Sequence, residues 1–191
     1  MMTDNQVIPN LQKPEIVWDI PKRILVIENA ISHEMCDSII EFGNSTVTKG
    51  INKYPHVFGV SFHSCLLPLN HEVHNILQST WQRAIDYFKF DISFVEPYEI
   101  KRYTQSDFFG KHSDNYYSLT KDVDRKLTMS VQLSETTEYT GGELMVLGNK
   151  SKSKNKGSIV IFPTNFPHEV KPIQSGVRWS LIGWAWGPYW K

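Results

Sequence analysis

The chain has 191 residues, which is enough for one domain with a substantial core and leaves little room for a second. Lysine and arginine together number 20, as do aspartate and glutamate, so a net charge of zero gives no general attraction to nucleic acid or to an anionic membrane. Cys36 and Cys65 are too few for a disulfide framework, and no segment resembles a signal peptide or a membrane span. We therefore expect a cytoplasmic protein.

The first half of the chain predicts an extended arm followed by a helical support. Residues 1–22 are rich in proline and predict the arm. Residues 23–90 predict the support: "RILVIEN" is a short strand, and "ISHEMCDSIIEFGN" is a helix with Ser32 as its N-cap and Gly43 as its terminator. The apolar stripe of "NHEVHNILQSTWQRAIDYFKF" predicts a longer helix that packs against a sheet.

Residues 91–191 change to short runs of β-branched and aromatic residues separated by turns, a pattern typical of antiparallel strands. In "KLTMSVQLS", apolar residues from Leu127 to Leu133 alternate with polar ones, which predicts a strand with one buried face. "GELMVLG", "GSIVIFP" and "VRWSLIGWAW" follow. Helices first and many strands after predict a mainly β fold, a sandwich or barrel with helices on one side.

A lysine-rich segment, residues 149–157, lies between two of these predicted strands. Its sequence, "NKSKSKNKG", favours a solvated hairpin tip. A basic docking site for an acidic partner is the alternative.

The stretch "GKHSDN" places His112 and Asp114 two positions apart. In an extended strand, side chains at i and i+2 project from the same face, so these two groups would lie side by side. His168 follows the apolar run "GSIVIF" in "FPTNFPHEV". Two imidazoles and one carboxylate form the facial triad that non-haem Fe(II) oxygenases use. We therefore predict an iron site at His112, Asp114 and His168.

Arg178 and Ser180 lie two positions apart in "GVRWSLIGWAW" and share one face of that predicted strand. A guanidinium and a hydroxyl directed into a barrel can anchor a carboxylate. Three protein ligands leave three positions on a roughly octahedral iron, two for a chelating 2-oxo acid and one for dioxygen. This arrangement indicates 2-oxoglutarate, with its distal carboxylate on Arg178 and Ser180.

From about residue 98 to 188 the sequence resembles the Fe(II) and 2-oxoglutarate-dependent oxygenases, in particular the prolyl 4-hydroxylase-like branch that includes PKHD-type hydroxylases. "YTQSDFFGKHSD" resembles the pattern Y-x-x-G-x-x-Y-x-x-H-x-D of that branch, and departs from it at Ser106 and Phe109. "YTGGELMVL" resembles the glycine-rich start of a core strand in the family. "GSIVIFPTNFPHEVKPIQSGVRWSLIGW" resembles its closing segment.

The resemblance implies a double-stranded β-helix of the jelly-roll or cupin type, with helices packed against the larger sheet. It also implies that His112, Asp114 and His168 act through bound iron, that Arg178 replaces the lysine of many prolyl hydroxylases, that Tyr103 contacts 2-oxoglutarate, and that Trp184 lies beside the substrate. The implied cofactors are Fe(II), 2-oxoglutarate and O2, with ascorbate as a possible addition. The implied reaction hydroxylates an unactivated C–H bond, releasing succinate and carbon dioxide, and we expect a prolyl residue in a peptide or protein as the substrate.

Three alternatives stay open at this point. The same iron site could hydroxylate a free amino acid or another small metabolite, because substrate choice depends on the predicted entrance loops, residues 44–60 and 115–125. A metal-free barrel could bind a peptide or partner without catalysis. Nucleic-acid demethylation by an AlkB-like member is disfavoured, since Trp184 stands where that group has a second arginine.

His71 and His74 in "NHEVH" are one residue too close for a metalloprotease motif, and we predict that both face solvent.

Overall fold

A computed structural model describes residues 23–49, 59–115, 122–151 and 154–189. In these ranges the chain forms two helices, α1 (His33–Thr46) and α2 (Val73–Phe88). The described strands are β1 (Leu25–Ile27), β2 (Thr48–Lys49), β3 (Val60–Ser61), β4 (His63–Leu66), β5 (Phe94–Val95), β6 (Glu99–Tyr103), β7 (Phe108–His112), β8 (Val123–Gln132), β9 (Tyr139–Gly141), β10 (Leu144–Val146), β11 (Asn149–Lys150), β12 (Ile159–Pro163), β13 (His168–Val170), β14 (Ile173–Gly176) and β15 (Arg178–Pro188). The arm predicted for residues 1–22 lies outside the described residues.

Most of the described strands belong to two antiparallel sheets. The larger sheet has eight strands, in the order β1-β12-β8-β15-β6-β4-β2, with β5 beside β15. The smaller sheet has five strands, in the order β11-β10-β13-β7-β3, and β14 pairs separately with β9. Tyr103 of the larger sheet packs in one apolar cluster with Phe109 and Val170 of the smaller sheet. Two sheets built from strands that are distant in sequence form a jelly-roll, so the predicted double-stranded β-helix is confirmed.

Both helices pack on the outer face of the larger sheet. One apolar cluster joins them to that face, and its buried members include Cys36, Ile39, Leu77, Trp81, Ala84, Ile100, Leu127, Met129, Val131 and Leu181. The side chain of Ser32 accepts a hydrogen bond from the Met35 N–H at 3.2 Å, which confirms the predicted N-cap of α1. The prediction that helices cover the larger sheet is confirmed as well.

Gly43 does not end α1, so that prediction is wrong. The helix continues to Thr46, and the N–H of Val47 then donates to the carbonyl of Gly43. A Cβ atom at position 43 would lie 2.7 Å from Cζ3 of Trp179 on the sheet below. The glycine is therefore required for the close approach of helix and sheet rather than for a turn.

β8 is buried on both faces, whereas its alternation predicted one buried face. Leu127, Met129 and Val131 are fully buried under the helices. The polar residues between them are also buried, Thr128 at 2% exposure and Ser130 at 6%, because they face the interior between the two sheets. A polar strand face in that interior marks the place where a polar ligand can bind.

Residues 23–90 supply strands as well as the two helices. β1 pairs with β12 at one edge of the larger sheet, and β3 pairs with β7 in the smaller sheet. The division of the chain at residue 90 therefore stays a prediction about organisation. None of the described helices is long and apolar enough to cross a membrane.

The lysines of the described part of 149–157 contact carboxylates. Lys150 Nζ and Lys154 Nζ each lie 3.2 Å from Oε1 of Glu143. Lys156 Nζ lies 2.5 Å from Oδ1 of Asp37, and the Lys156 side chain is 7% exposed. Because these carboxylates pair with the three lysines, the contacts disfavour the alternative, a basic docking site for an acidic partner.

Candidate metal centre

The three predicted ligands meet between the two sheets. β13 pairs with β7 so that His168 lies directly opposite His112. Asp114 lies just beyond the end of β7, where its N–H donates to the carbonyl of Thr164 at 2.8 Å. One ligand atom from each of the three side chains can be chosen so that all lie within 4.8 Å of one another. His112 Nε2 is 3.3 Å from Asp114 Oδ1, and His168 Nε2 is 3.2 Å from Asp114 Oδ2.

Backbone carbonyls orient both imidazoles. His112 Nδ1 lies 2.8 Å from the carbonyl oxygen of Gly110, and His168 Nδ1 lies 2.9 Å from that of Phe166. A carbonyl oxygen can only accept, so each Nδ1 donates its proton to that carbonyl, and each Nε2 is directed to the centre of the triad. Phe109 stacks on the His112 ring with centroids 4.0 Å apart. The two rings are therefore held in an orientation from which each Nε2 can bind a metal.

The Asp114 carboxylate is held by two further side chains. Thr128 Oγ1 donates to Asp114 Oδ2 at 2.8 Å, and Trp184 Nε1 donates to the same oxygen at 2.9 Å. Burial alone would raise the pKa of this carboxyl, but the His168 and His112 imidazoles hold that pKa well below its ordinary value. The group is thus an ionised carboxylate at neutral pH, with Oδ1 not engaged by these two donors.

Thr128 was absent from the predicted site, and Trp184 was expected beside the substrate. The two residues are direct partners across β8 and β15, so both side chains reach the same oxygen. Only the alternation of β8 could have suggested that Thr128 faces inward. The substrate-binding role of Trp184 stays a prediction, although its side chain does line the cleft that contains the triad.

Arg178 and Ser180 lie in the same cleft as the triad. Arg178 is 3% exposed and Ser180 is fully buried, yet Arg178 Nη1 and Ser180 Oγ have no hydrogen-bond partner among the described residues. A buried donor left without a partner costs about 1–3 kcal/mol, and a charged donor costs more. An anionic ligand that binds between these two groups would remove that cost. The site therefore fits the distal carboxylate of 2-oxoglutarate.

Tyr103 lies beside this anchor. It is paired directly with Arg178 across β6 and β15, and Arg178 Cζ lies 5.5 Å from the centroid of its ring. Burial raises the pKa of the Tyr103 phenol above its ordinary value, so the hydroxyl is neutral and can donate a hydrogen bond. Its predicted contact with 2-oxoglutarate is compatible with this position and stays a prediction.

The cleft holds about 390 Å³ of space, part of it continuous with open solvent. Besides the triad, the anchor, Tyr103, Thr128 and Trp184, its lining includes Lys101, Phe109, Ser130, Leu144, Phe162, Val170 and Ile182. Seven of the fifteen lining residues are apolar or aromatic, and the polar ones are the triad, the anchor, Lys101, Thr128 and Ser130. A cleft with convergent polar groups between apolar walls can hold a small polar molecule.

His71 and His74 lie away from this cleft. His71 precedes α2, and its Nε2 is 3.4 Å from Ser38 Oγ on α1. His74 Nε2 is 3.0 Å from the carbonyl oxygen of Pro68. Both histidines are half-buried, so the prediction that they face solvent is wrong. They connect the start of α2 to neighbouring structure.

A jelly-roll that brings two histidines, one carboxylate, a buried arginine and a buried serine into one cleft is the arrangement found in non-haem Fe(II) oxygenases that use a 2-oxo acid. Comparison with known proteins agrees. Residues 98–186 match the 2OG-Fe(II) oxygenase superfamily. The chain is 33% identical over 89 residues to a PKHD-type hydroxylase of Idiomarina loihiensis and 39% identical over 88 residues to one of Shewanella oneidensis.

These alignments cover 45% and 44% of this chain, and 40% and 39% of the respective relatives. The chain thus spans less than half the length of the curated relatives it matches. Among solved structures, the viral collagen prolyl hydroxylase of Paramecium bursaria Chlorella virus-1 has a TM-score of 0.68 at 21% identity, over 86% of this chain and 96% of that one. A prolyl-4-hydroxylase of Pseudomonas putida has a TM-score of 0.64 at 16% identity, over 87% and 93% of the two chains. At these identities the solved structures show a common fold.

Proposed function

We propose that the protein is an Fe(II)- and 2-oxoglutarate-dependent dioxygenase that hydroxylates an unactivated C–H bond, with a prolyl residue in a peptide or protein as its substrate. One observation carries the proposal. The cleft that contains the triad of His112, Asp114 and His168 also contains two buried groups in need of a ligand, Arg178 Nη1 and Ser180 Oγ. The triad supplies a metal site, and the second pair supplies a carboxylate site.

Each of these residues has a defined task in the proposed reaction. His112 and His168 would hold the metal through Nε2, and Asp114 would hold it through Oδ1, the oxygen that Thr128 and Trp184 leave available. When bound, Fe(II) with 2-oxoglutarate and dioxygen would supply the oxidation, in which one oxygen atom enters the C–H bond and the other enters succinate as carbon dioxide is lost. The protein would position the reactants relative to one another and exclude water from the site.

Arg178 and Ser180 would fix the distal end of 2-oxoglutarate, so that its 2-oxo acid end is directed to the metal. Tyr103, beside Arg178, can donate from its neutral hydroxyl to the same molecule. Because these groups are buried, their hydrogen bonds to a carboxylate would be stronger than in water.

The prolyl substrate is supported by similarity rather than by a contact in the cleft. The relatives in sequence are PKHD-type hydroxylases, and one structural neighbour is a prolyl hydroxylase of Trichoplax adhaerens in complex with a peptide fragment of hypoxia inducible factor. The predicted entrance loops, 44–60 and 115–125, lie partly outside the described residues. Location in the cytoplasm and the absence of nucleic-acid and membrane partners stay predictions from the sequence.

Succinate release tests the function directly. The protein would be loaded anaerobically with Fe(II) and 2-oxoglutarate, then exposed to oxygen with proline-containing peptides and with free amino acids in parallel. We expect substrate-dependent succinate release that His112→Ala abolishes. His33→Ala is a matched control, because that histidine is exposed and contacts Glu135 outside the cleft. Release by His112→Ala at the wild-type rate would show that the triad does not act as proposed.

A further inference from the structure

A second cavity lies next to the cleft, and the proposed function does not use it. It holds about 330 Å³ of space, part of it continuous with open solvent. The residues that line this cavity but not the cleft include Gln132, Tyr139, Glu143, Lys150 and Lys154, and we call it the basic recess. Because Glu143 directly precedes β10 and Lys150 belongs to β11, the basic recess lies beside one edge of the smaller sheet.

The basic recess and the cleft share three lining residues, Ser130, Leu144 and Arg178. These side chains therefore form the boundary between the two cavities. Gly142, which lines the basic recess, leaves space beside the boundary, since a Cβ atom at that position would lie 3.2 Å from Arg178 Cδ. A boundary of one small and two rotatable side chains can open to a small molecule by rotamer changes.

The outer part of the basic recess carries a cluster of charges. Lys150 Nζ and Lys154 Nζ each lie 3.2 Å from Glu143 Oε1, and the three side chains are between 25% and 54% exposed. Two lysines share this one carboxylate, and Arg178 lies at the inner end, so three cations and one anion line the recess. In a chain with no net charge, this local excess of cations attracts anions and increases the rate at which they enter.

Arg178 also gives an entering dicarboxylate the orientation that the proposed function requires. Its Nη1 has no hydrogen-bond partner among the described residues. A 2-oxoglutarate molecule that passes Arg178 with its 2-oxo acid end first moves toward the triad, and its distal carboxylate then reaches Nη1 last. The molecule does not have to turn inside the cleft.

We propose that the basic recess is the route by which 2-oxoglutarate enters the site and succinate leaves it, separate from the part of the cleft that the primary substrate occupies. The inference rests on the proposed function, because it assigns a route to the cosubstrate of the same site. Both molecules are dicarboxylates, so Lys150 and Lys154 attract both. Separate routes allow succinate to leave while the hydroxylated product is still in the cleft.

Association rates measured without turnover test the role of the charges. Anaerobic protein with Fe(II) would be mixed rapidly with 2-oxoglutarate, and tryptophan fluorescence would report binding, since Trp184 lines the cleft. At low ionic strength we expect Lys150→Gln with Lys154→Gln to lower the association rate constant about tenfold, and Glu143→Gln to raise it about threefold. Raising the salt concentration to about 0.5 M should reduce both effects, because exposed charges are then screened.

Two charge changes on α2 are the matched controls. Arg83 and Asp86 are exposed on this helix, which packs on the outer face of the larger sheet, away from the smaller sheet. Arg83→Gln and Asp86→Asn change the charge of the chain as the test variants do, and should leave the association rate constant within about twofold of the wild type. Equal effects of the controls and the test variants would overturn the proposal.

A covalent label distinguishes passage through the basic recess from a general attraction by its charges. Lys150→Cys would be labelled with a bulky uncharged maleimide in a Cys65→Ser background. Cys36 stays unlabelled, because it is fully buried and burial raises the pKa of its thiol to about 11. Asn149→Cys with the same label is the matched control, since Asn149 is the exposed neighbour of Lys150 in β11 and does not line the recess.

Compared with unlabelled Lys150→Cys, the labelled protein should bind and release 2-oxoglutarate about fivefold or more slowly. Both rate constants should fall by the same factor and leave the Kd within about twofold, because a barrier on a route does not change the equilibrium. A change of less than about twofold in the association rate constant would overturn the proposal, as would equal slowing by the label at position 149. So would an increase of about tenfold in the Kd of the double lysine variant with an unchanged association rate constant, because the lysines would then contact the bound molecule.

The proposed function and this inference can fail separately. If the label slows binding and release of 2-oxoglutarate but no peptide or amino acid triggers succinate release, the dioxygenase proposal fails and the route stands. If a substrate triggers succinate release but neither the label nor the lysine substitutions alter the binding rates, the dioxygenase proposal stands and the route fails.

Discussion

Replacing Arg178 by methionine should weaken 2-oxoglutarate binding strongly and leave the stability of the ligand-free protein nearly unchanged. Arg178 is 3% exposed, and its Nη1 has no hydrogen-bond partner among the described residues. The guanidinium lies over the Tyr103 ring, with Cζ 5.5 Å from the ring centroid. The ligand-free protein therefore keeps a buried charge that is incompletely satisfied.

The magnitude follows from these contacts. A hydrogen bond between a charged donor and a carboxylate contributes about 1.5–3 kcal/mol, so losing one such bond should weaken 2-oxoglutarate binding roughly 10- to 150-fold. In the absence of the ligand, the variant loses a cation–π contact of about 0.5–2 kcal/mol but no longer buries an unpaired donor, which costs about 1–3 kcal/mol. The two changes nearly cancel. We expect the free energy of unfolding of the ligand-free variant to equal that of the wild type within about 1 kcal/mol, or to exceed it.

Thermal unfolding with and without 2-oxoglutarate, in the presence of Fe(II) and the absence of oxygen, measures both effects in one series. The ligand should raise the Tm of the wild type and leave that of Arg178→Met almost unchanged. Arg178→Lys keeps a cation and should retain most of the shift. If Arg178→Met bound 2-oxoglutarate within about threefold of the wild type, Arg178 would not be the anchor.

Three further predictions concern single side chains. Trp184→Phe removes the N–H that donates to Asp114, so the affinity for Fe(II), measured by anaerobic titration, should fall by about tenfold. Gly43→Ala should lower the free energy of unfolding by about 1 kcal/mol in urea, because contact with Trp179 at 2.7 Å outweighs the gain of about 1 kcal/mol in helix propensity. Although partial burial opposes it, hydrogen bonds from its own backbone and two lysines lower the pKa of Glu143 from 4.5 to about 2. Its carboxylate therefore stabilises the fold above about pH 4.5, and this stabilisation is lost as the pH falls toward 2. In Glu143→Gln, the decline in Tm across that range should be smaller.

Two control variants distinguish these effects from general destabilisation of the fold. Trp186→Phe removes an N–H that donates to Glu96, a carboxylate outside the triad, and should leave Fe(II) affinity unchanged. Equal losses of affinity in Trp184→Phe and Trp186→Phe would contradict a specific role for Trp184. Asn44→Ala replaces an exposed residue next to Gly43 in α1 and should not destabilise the protein.

The sequence predicted those parts of the site that depend on local spacing. His112 and Asp114 are two residues apart, as are Arg178 and Ser180. In an extended strand the two side chains of each pair project from the same face, whichever fold the strand belongs to. His168 could be added because it follows an apolar run of the kind that forms a core strand. The order of these residues along the chain then indicated the family.

The groups that support Asp114 could not be predicted in the same way. Thr128 and Trp184 are 14 and 70 residues from it, and they reach one oxygen because the register of β8 and β15 places them opposite each other. Sequence alternation alone does not determine that register. Lys101 was also missed, because a lysine in a strand suggests an exposed face, and its burial depends on closure of the two sheets.

The buried cations of this neutral chain differ in what neutralises them. Lys126 has Asp124 at 2.5 Å, and Lys101 has Glu99 at 3.7 Å, both from the same strand. Arg178 forms no ion pair among the described residues, and its Nη1 lacks a hydrogen bond. Since a buried charge is costly without a counterion, Arg178 has the clearest need for an external anion among these three cations. We therefore expect binding of 2-oxoglutarate to depend more on Arg178 than on Lys101 or Lys126.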